Sequence, residues 1–442
     1  MNNIQNNFNF TTLIRYSIPT IAMMVFMSMY SIVDGAFVSK FVNTNALSAL
    51  NIAYPLFNAV IAIGVMLGAG GSALIAKKMG ENKFLEAKEN FSLIVYAGIT
   101  IGLTLTVVGA LFMKPMLKFL GANQILMNYC YDYAFTLLLF TTPTILQMIF
   151  QYLFITAGKP HLGLGLTIVG GCLNILLDYV FIVPLKMGIS GAALATGIGI
   201  LVPSLVGLLY FSLNRSGTLY FVRTKIHITI LAHGCSNGSS EMVTELSNAI
   251  ITFLYNAIML RYLGEDGVAA ITILLYVDFL LKAALLGFSM GVSPIISYNY
   301  GSQNITQIKR IFKYCFSFVL ATSVVIYISS SVCAPYLTSI FAHKGSNVYT
   351  LAMSGFMLYN ISFLFSGFNI FSSALFTAFS NGRVSAIISF LRTFVFLSAG
   401  LILLPPLMGI RGAWIAVTIS EGLSVLMSLF FLIRYRKIYQ YL

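Results

Sequence analysis

Charge is what this sequence lacks. Of 442 residues only 8% are Asp, Glu, Lys or Arg, where an ordinary soluble domain carries roughly 25%. So few charges cannot solvate the surface of a chain this long, which excludes a water-soluble globule and points to lipid as the surrounding solvent. The five cysteines, Cys130, Cys172, Cys235, Cys315 and Cys333, are scattered with no C-x-x-C spacing. They read as small apolar residues rather than as a disulfide framework or a metal site. The four histidines, His161, His227, His233 and His343, lie near loops, and neither H-E-x-x-H nor G-x-S-x-G occurs. An intramembrane enzyme therefore has no constellation to work with, and no resident cofactor is expected. Gly68, Gly70 and Gly71 follow no strand, so they read as helix-packing residues and not as a nucleotide loop.

What the chain has instead is hydrophobic residue in long runs, 58% of the total. Runs of about 20 apolar residues suffice to cross a hydrocarbon core of roughly 30 Å. They are continuous rather than alternating, which predicts helices and not a barrel. Twelve spans are expected, at 13–39, 47–76, 92–113, 127–156, 161–184, 188–212, 234–260, 268–298, 313–333, 347–377, 384–404 and 409–433. Residues Met1–Phe10 are polar and Asn-rich, and the apolar run from Leu13 to Phe37 is too long for the core of a cleavable signal peptide.

The formal net charge is +13. Its distribution makes it a topology signal and excludes nucleic acid as a partner. With the N-terminus inside, one side of the membrane holds 17 Lys and Arg and the other 7, with Lys282 inside a span. Positive residues stay in the cytoplasm, so both termini are expected there. The longest polar connection, at 213–233, carries Arg215, Arg223 and Lys225 and reads as a cytoplasmic linker between an N-terminal six-helix bundle (1–212) and a C-terminal one (234–442).

Shifting the sequence by 221 residues brings like residues together without a gap. Met187–Ala192 faces Met408–Ala413, Gly80 faces Gly301, Pro184 faces Pro405, and Gly70, Ser72 and Ile75 face Gly291, Ser293 and Ile296. Each half has an even number of spans, so the halves are parallel repeats. The fold class expected is an all-α membrane protein of two six-helix bundles, related by a pseudo-two-fold axis along the membrane normal. In that architecture the cargo site lies between the halves. A fused pair in one chain favours alternating access by a monomer over a pore made of several subunits.

Ionisable groups within spans are expensive to keep, so each is a candidate site. Six of the twelve acids lie there: Asp34, Asp178, Glu241, Glu245, Asp278 and Glu421. Asn174 and Asp178 are four apart and share a helix face. With Asp34 they could form a cation site for Na⁺, or hold a proton. The plainer reading is that each acid is satisfied separately by structural hydrogen bonds. Neither aspartate is repeated: Asp34 faces Tyr255 and Asp178 faces Ala399. Glu241, after Ser239-Ser240, reads as a helix N-terminal residue complementing the dipole, and Glu245 as a deeper cavity residue. Asp278 and Lys282 are four apart and read as an intrahelical pair or as cavity groups touching substrate. Glu421 has no obvious partner. Pro19, Pro55, Pro143, Pro203 and Pro294 mark kinks within spans. Met23, Met24, Met27 and Met29 are candidates for an adaptable apolar cavity.

These residues resemble the multidrug and toxic compound extrusion (MATE) family, in its bacterial MepA-like branch. The resemblance rests on Ile18-Pro19 followed by Val33-Asp34-Gly35, on Gly80-Glu81-Asn82, and on Ala157-Gly158-Lys159-Pro160. It continues through Asn174 and Asp178, Gly188–Ala193, Gly238-Ser239-Ser240-Glu241 and Tyr298-Asn299-Tyr300-Gly301. It covers essentially the whole chain. It implies a multi-pass protein of the bacterial inner (plasma) membrane that exports amphipathic, often cationic compounds in exchange for inward Na⁺ or H⁺. It also implies a coupling-cation site at Asp34, Asn174, Asp178 and, by resemblance alone, Thr196. The chain departs from another branch of the family in having no acid in its tenth span. The competing expectation within transport is a flippase for lipid-linked oligosaccharide or another lipid of the same superfamily, which would want basic residues in the cavity. A receptor or passive channel would need neither the repeat nor the paired acids.

Overall fold

The computed structural model describes residues 4–5, 7–41 and 44–442, without the side chains of 34–36, 38–41 and 44–48. Among the described residues every regular element is helical. The N-terminal half contains α1 (Phe10–Phe41), α2 (Thr44–Gly80), α3 (Phe84–Phe119), α4 (Met127–Leu138), α5 (Thr141–Thr156), α6 (Pro160–Ile182) and α7 (Gly188–Leu213). The C-terminal half contains α8 (Ile228–Gly301), α9 (Ile305–Phe341), α10 (Asn347–Tyr359), α11 (Phe363–Ala378), α12 (Gly382–Phe390), α13 (Leu397–Met408) and α14 (Ile410–Tyr439).

Ten of these stretches are long and apolar enough to span a bilayer. One is α8, whose 74 residues would extend about 110 Å at 1.5 Å per residue, several times a hydrocarbon core. Gly264, with φ 67° and ψ −154°, breaks it into two spans; only glycine takes up such a backbone readily. The pair α4–α5, bent by 53°, makes one more. Twelve spans result among the described residues, in two six-helix bundles, with Phe8 and Tyr441 near the two termini both packed at the start of α9.

Several helices outrun their expected spans. α3 begins at Phe84 rather than 92, and the first half of α8 at Ile228 rather than 234. Hydropathy stops where charge begins, at Glu86, Lys88 and Glu89 for example, whereas the helix simply continues out of the lipid. α8 therefore starts 13 residues before Glu241. That corrects the reading of Glu241 as a helix N-terminal residue: a dipole effect fades within the first turn.

The repeat is built into the backbone. Asn82 and Gln303, 221 apart, both take positive φ (60° and 54°), as do Gly188 and Gly409 (60° and 65°). Between the halves, at the end that carries the termini, a Cβ on Gly80 would lie 2.0 Å from the carbonyl oxygen of Tyr298. One on Gly301 would lie 2.1 Å from that of Lys77. Tyr298 and Lys77 are again 221 apart, so the two contacts are the two halves of one pseudo-symmetric clasp. Deeper in, Gly238 packs on the Met66 carbonyl and Gly70 on that of Gly234. This end of the interface between the halves is closed backbone to backbone.

Candidate functional site

In the N-terminal half, α6 and α7 cross closely. A Cβ on Gly199 would lie 2.9 Å from Cβ of Asn174, and this absence of a side chain lets Asn174 reach across. Its Nδ2 donates to Oγ1 of Thr196 at 3.4 Å, while Thr196 Oγ1 donates back to the Ala192 carbonyl at 3.0 Å. Asn174 is 4% exposed and Asp178 1%. The amide, the hydroxyl and a carboxylate one turn along are thus gathered in the interior of one bundle. All are oxygen-bearing groups of the kind a hard cation takes as ligands. Asp34 lies on α1, whose backbone is described there, but its side chain is outside the described residues, as is any contact it makes. Met27, on the same helix, is half-buried, and its sulfur accepts from Nε2 of Gln151 on α5 at 3.6 Å.

The C-terminal half holds a different polar cluster. Lys282 Nζ is 2.8 Å from Asp278 Oδ1, the intrahelical pair expected from the spacing, and 3.9 Å from Glu421 Oε1. Glu421 does have partners. Arg392 donates from Nε to both its oxygens at 3.0 Å and from Nη2 to Oε1 at 2.9 Å. Asn369 on α11 donates to Oε2 at 2.7 Å and to the Glu421 backbone carbonyl at 2.9 Å. Ser428 in turn donates to Asn369 Oδ1 at 3.0 Å. Arg392 sits in a π-helical turn, Leu391–Phe396, between α12 and α13, and Ser420 of α14 donates to its carbonyl at 3.0 Å. A π-turn inside a helix shifts the register of its side chains and is frequently found at functional positions. Here it sets the guanidinium side-on to the carboxylate in the bidentate geometry that only arginine offers. Arg392 is therefore an interior residue and leaves the cytoplasmic charge count, which stands at 16 to 7 without it.

Glu241 and Glu245, half-buried on the first part of α8, form no ion pair among the described residues. The Glu245 backbone carbonyl accepts from Asn58 Nδ2 of α2 at 3.1 Å, a direct link between the halves.

The MatE family model matches this chain twice, over residues 19–180 and 242–400, one copy in each bundle and together well over half the length. The chain belongs to the MatE family. As a MatE protein it is similar over 95% of its length to the multidrug export protein MepA of Staphylococcus haemolyticus, at 24% identity and covering 92% of that protein. It is also similar to MepA of Staphylococcus aureus strain MRSA252, at 23% identity over 94% of this chain and 92% of the other. Among solved structures, a MATE crystal structure in complex with MaL6 superposes with a TM-score of 0.93, at 21% identity and 98% coverage of both chains. An outward-facing multidrug resistance MATE transporter of the MOP superfamily superposes at 0.92, with 22% identity, 98% of this chain and 97% of the other. These likenesses fix the MatE fold. The roles of individual residues in this MatE chain must come from its own geometry.

By that measure helix spacing put Asn174 and Asp178 on one face, the family resemblance alone added Thr196, and the sequence reading missed the Arg392–Glu421 pair. The one available signal was that Arg392 stands amid an apolar stretch, 384–404, that a terminal loop charge would not interrupt.

Proposed function

We propose that the chain is an antiporter that exports amphipathic, cationic compounds across the bacterial plasma membrane by alternating access, driven by inward Na⁺ or H⁺. The observation that carries this reading is the interior cluster of Asp178, Asn174 and Thr196. A carboxylate held away from water favours a bound cation or proton strongly over neither. With Asp34 it forms the coupling site, and Na⁺ or H⁺ is exchanged there as cargo rather than held as a resident cofactor. The MepA relatives are named for multidrug export, which supports the same class of activity here.

The halves 1–212 and 234–442 are the moving bodies, joined by 213–233. The excess of Lys and Arg at the termini-bearing end supports a cytoplasmic position for that end. The clasp of Gly80 and Gly301 then makes the described conformation one closed to the inside. Glu245, Asp278 and Met27 are cargo-cavity residues in this reading. Lys282 and Arg392 are each held by a carboxylate, which weighs against a flippase gripping an anionic lipid-linked cargo.

The test is dye efflux in everted vesicles, with a Na⁺ gradient and a pH gradient imposed separately. Asp34→Asn and Asp178→Asn are each expected to abolish gradient-driven efflux in protein that still purifies as a folded monomer. Wild-type efflux by both variants would reject the coupling site.

A further inference from the structure

At the end that carries the termini, a cleft of about 770 Å³ opens in the N-terminal bundle, lined among others by Arg15, Tyr16, Lys159, His161, Leu162 and Tyr210. Arg15 comes from α1, Lys159 and His161 from the start of α6, and Tyr210 from the last turns of α7. Among the described residues no Asp or Glu lines it, and Arg15 and Lys159 form no ion pair.

The helix end in this cleft adds to the positive field. Lys159 is the N-cap of α6, its side chain makes no capping bond, and Pro160 follows at the first turn. Helix N-termini carry partial positive charge and ordinarily take Asp, Asn, Ser or Thr at the cap. A lysine there, with an arginine across the cleft, places like charge against like, and such an arrangement is relieved by an anion, to which the ring of His161 two residues on can add an N–H donor. The repeat shows that the fold does not require it. Positions 221 later carry Ser236 for Arg15, Ser380 for Lys159 and Gly382 for His161. The corresponding helix, α12, is capped instead by Asn381, whose Oδ1 accepts from the Val384 amide at 3.3 Å.

The cleft also has an apolar side. Ile18, one turn into α1 from Arg15 and on the same face, is 53% exposed, so that face continues from cation to lipid-facing aliphatic surface. Leu162, on α6, lines the cleft and is half-buried against the apolar core. A ligand with a phosphate head and a hydrocarbon body matches both parts, and basic pockets between membrane helices are of the kind that take anionic lipid headgroups.

We propose that this cleft binds the phosphate of an anionic lipid headgroup, with Arg15, Lys159 and His161 as its donors and Ile18 and Leu162 beside the first acyl carbons. The site is separate from the cargo cavity. Only its assignment to the cytoplasmic leaflet rests on the sidedness given above, and the test below needs neither orientation nor transport, so the two can fail independently.

The experiment uses the full-length protein, delipidated in detergent, with bound lipid counted by native mass spectrometry. It is offered phosphatidylglycerol, phosphatidylcholine, or phosphatidylglycerol with equimolar inorganic phosphate. Wild type is expected to prefer phosphatidylglycerol over phosphatidylcholine by on the order of tenfold, and Arg15→Gln with Lys159→Gln to lose that preference. A matched double change at the opposite end, Lys118→Gln with Lys344→Gln, should keep it. Retained preference in the Arg15/Lys159 double variant would overturn the site, as would equal retention of both lipids by wild type. Displacement of phosphatidylglycerol by equimolar inorganic phosphate would overturn the lipid as its source and assign the cleft to free phosphate. Both doubles alter exposed side chains, and an unchanged elution profile confirms that each is folded.

Discussion

Arg392 holds Glu421 of the neighbouring α14 by both carboxylate oxygens, at 2.9 to 3.0 Å. The side chains are 11% and 5% exposed. Stripping water from two such charges costs several kcal/mol each, and the pair offsets this only while both partners are present.

Removing one partner should therefore be far worse than removing both. Arg392→Met is expected to destabilise the protein by about 3–5 kcal/mol, because it strands a buried carboxylate. Arg392→Met with Glu421→Gln should recover most of that loss, since Asn369 can still bond the new amide. Unfolding in mixed detergent across the four-member cycle measures the coupling, and additivity of the two single changes would refute the pair as a unit.

The clasp between the bundles makes a conformational prediction. Gly301→Leu puts a side chain where a Cβ would be 2.1 Å from the Lys77 carbonyl oxygen, so the closed arrangement at that end cannot form. With spin labels on cysteines replacing Lys83 and Arg310, the distance distribution should move to longer values and efflux should cease. An unchanged distribution would mean that the closure does not depend on this contact.

Gln307 ties the N-terminal segment to the C-terminal bundle: its Nε2 donates to the Phe8 carbonyl at 2.7 Å, and both residues are almost fully buried. Gln307→Leu keeps the volume but leaves that carbonyl unsatisfied, a cost of roughly 1–3 kcal/mol. Amide hydrogen exchange through residues 4–15 should accelerate by about 5- to 150-fold, while exchange in α6 and α7 stays as it was. Equal protection in both proteins would show the bond to be incidental.

At the proposed coupling site, Asn174→Ala is expected to weaken cation binding by about tenfold, the loss of one uncharged oxygen ligand. Thr196→Ala should do nearly as much, and the double variant little more, because the two groups are bonded to each other. The readout is the shift in melting temperature on adding Na⁺ or lowering pH. A full wild-type shift in the double variant would remove both residues from the site.

Local chemistry was decided within the sequence. The twelve spans follow from hydropathy, because lipid leaves a backbone no other way to satisfy itself than a helix. The repeat at 221 residues paired Gly80 with Gly301 at equivalent helix ends, though not the clasp they form. Asp278–Lys282 and Asn174–Asp178 follow from a spacing of four on one helix, a relation fixed by helix geometry alone. What tertiary structure alone decided is whatever depends on how two helices cross. Thr196 meets Asn174 only because Gly199 lets α6 and α7 approach. Arg392 finds Glu421 because the π-turn that carries it packs against α14. Glu241 lies in mid-helix because α8 starts outside the lipid, where hydropathy is silent. A sequence specifies which face of a helix a residue occupies, but the partner across the gap is set by crossing angle and depth, and those belong to the packed bundle.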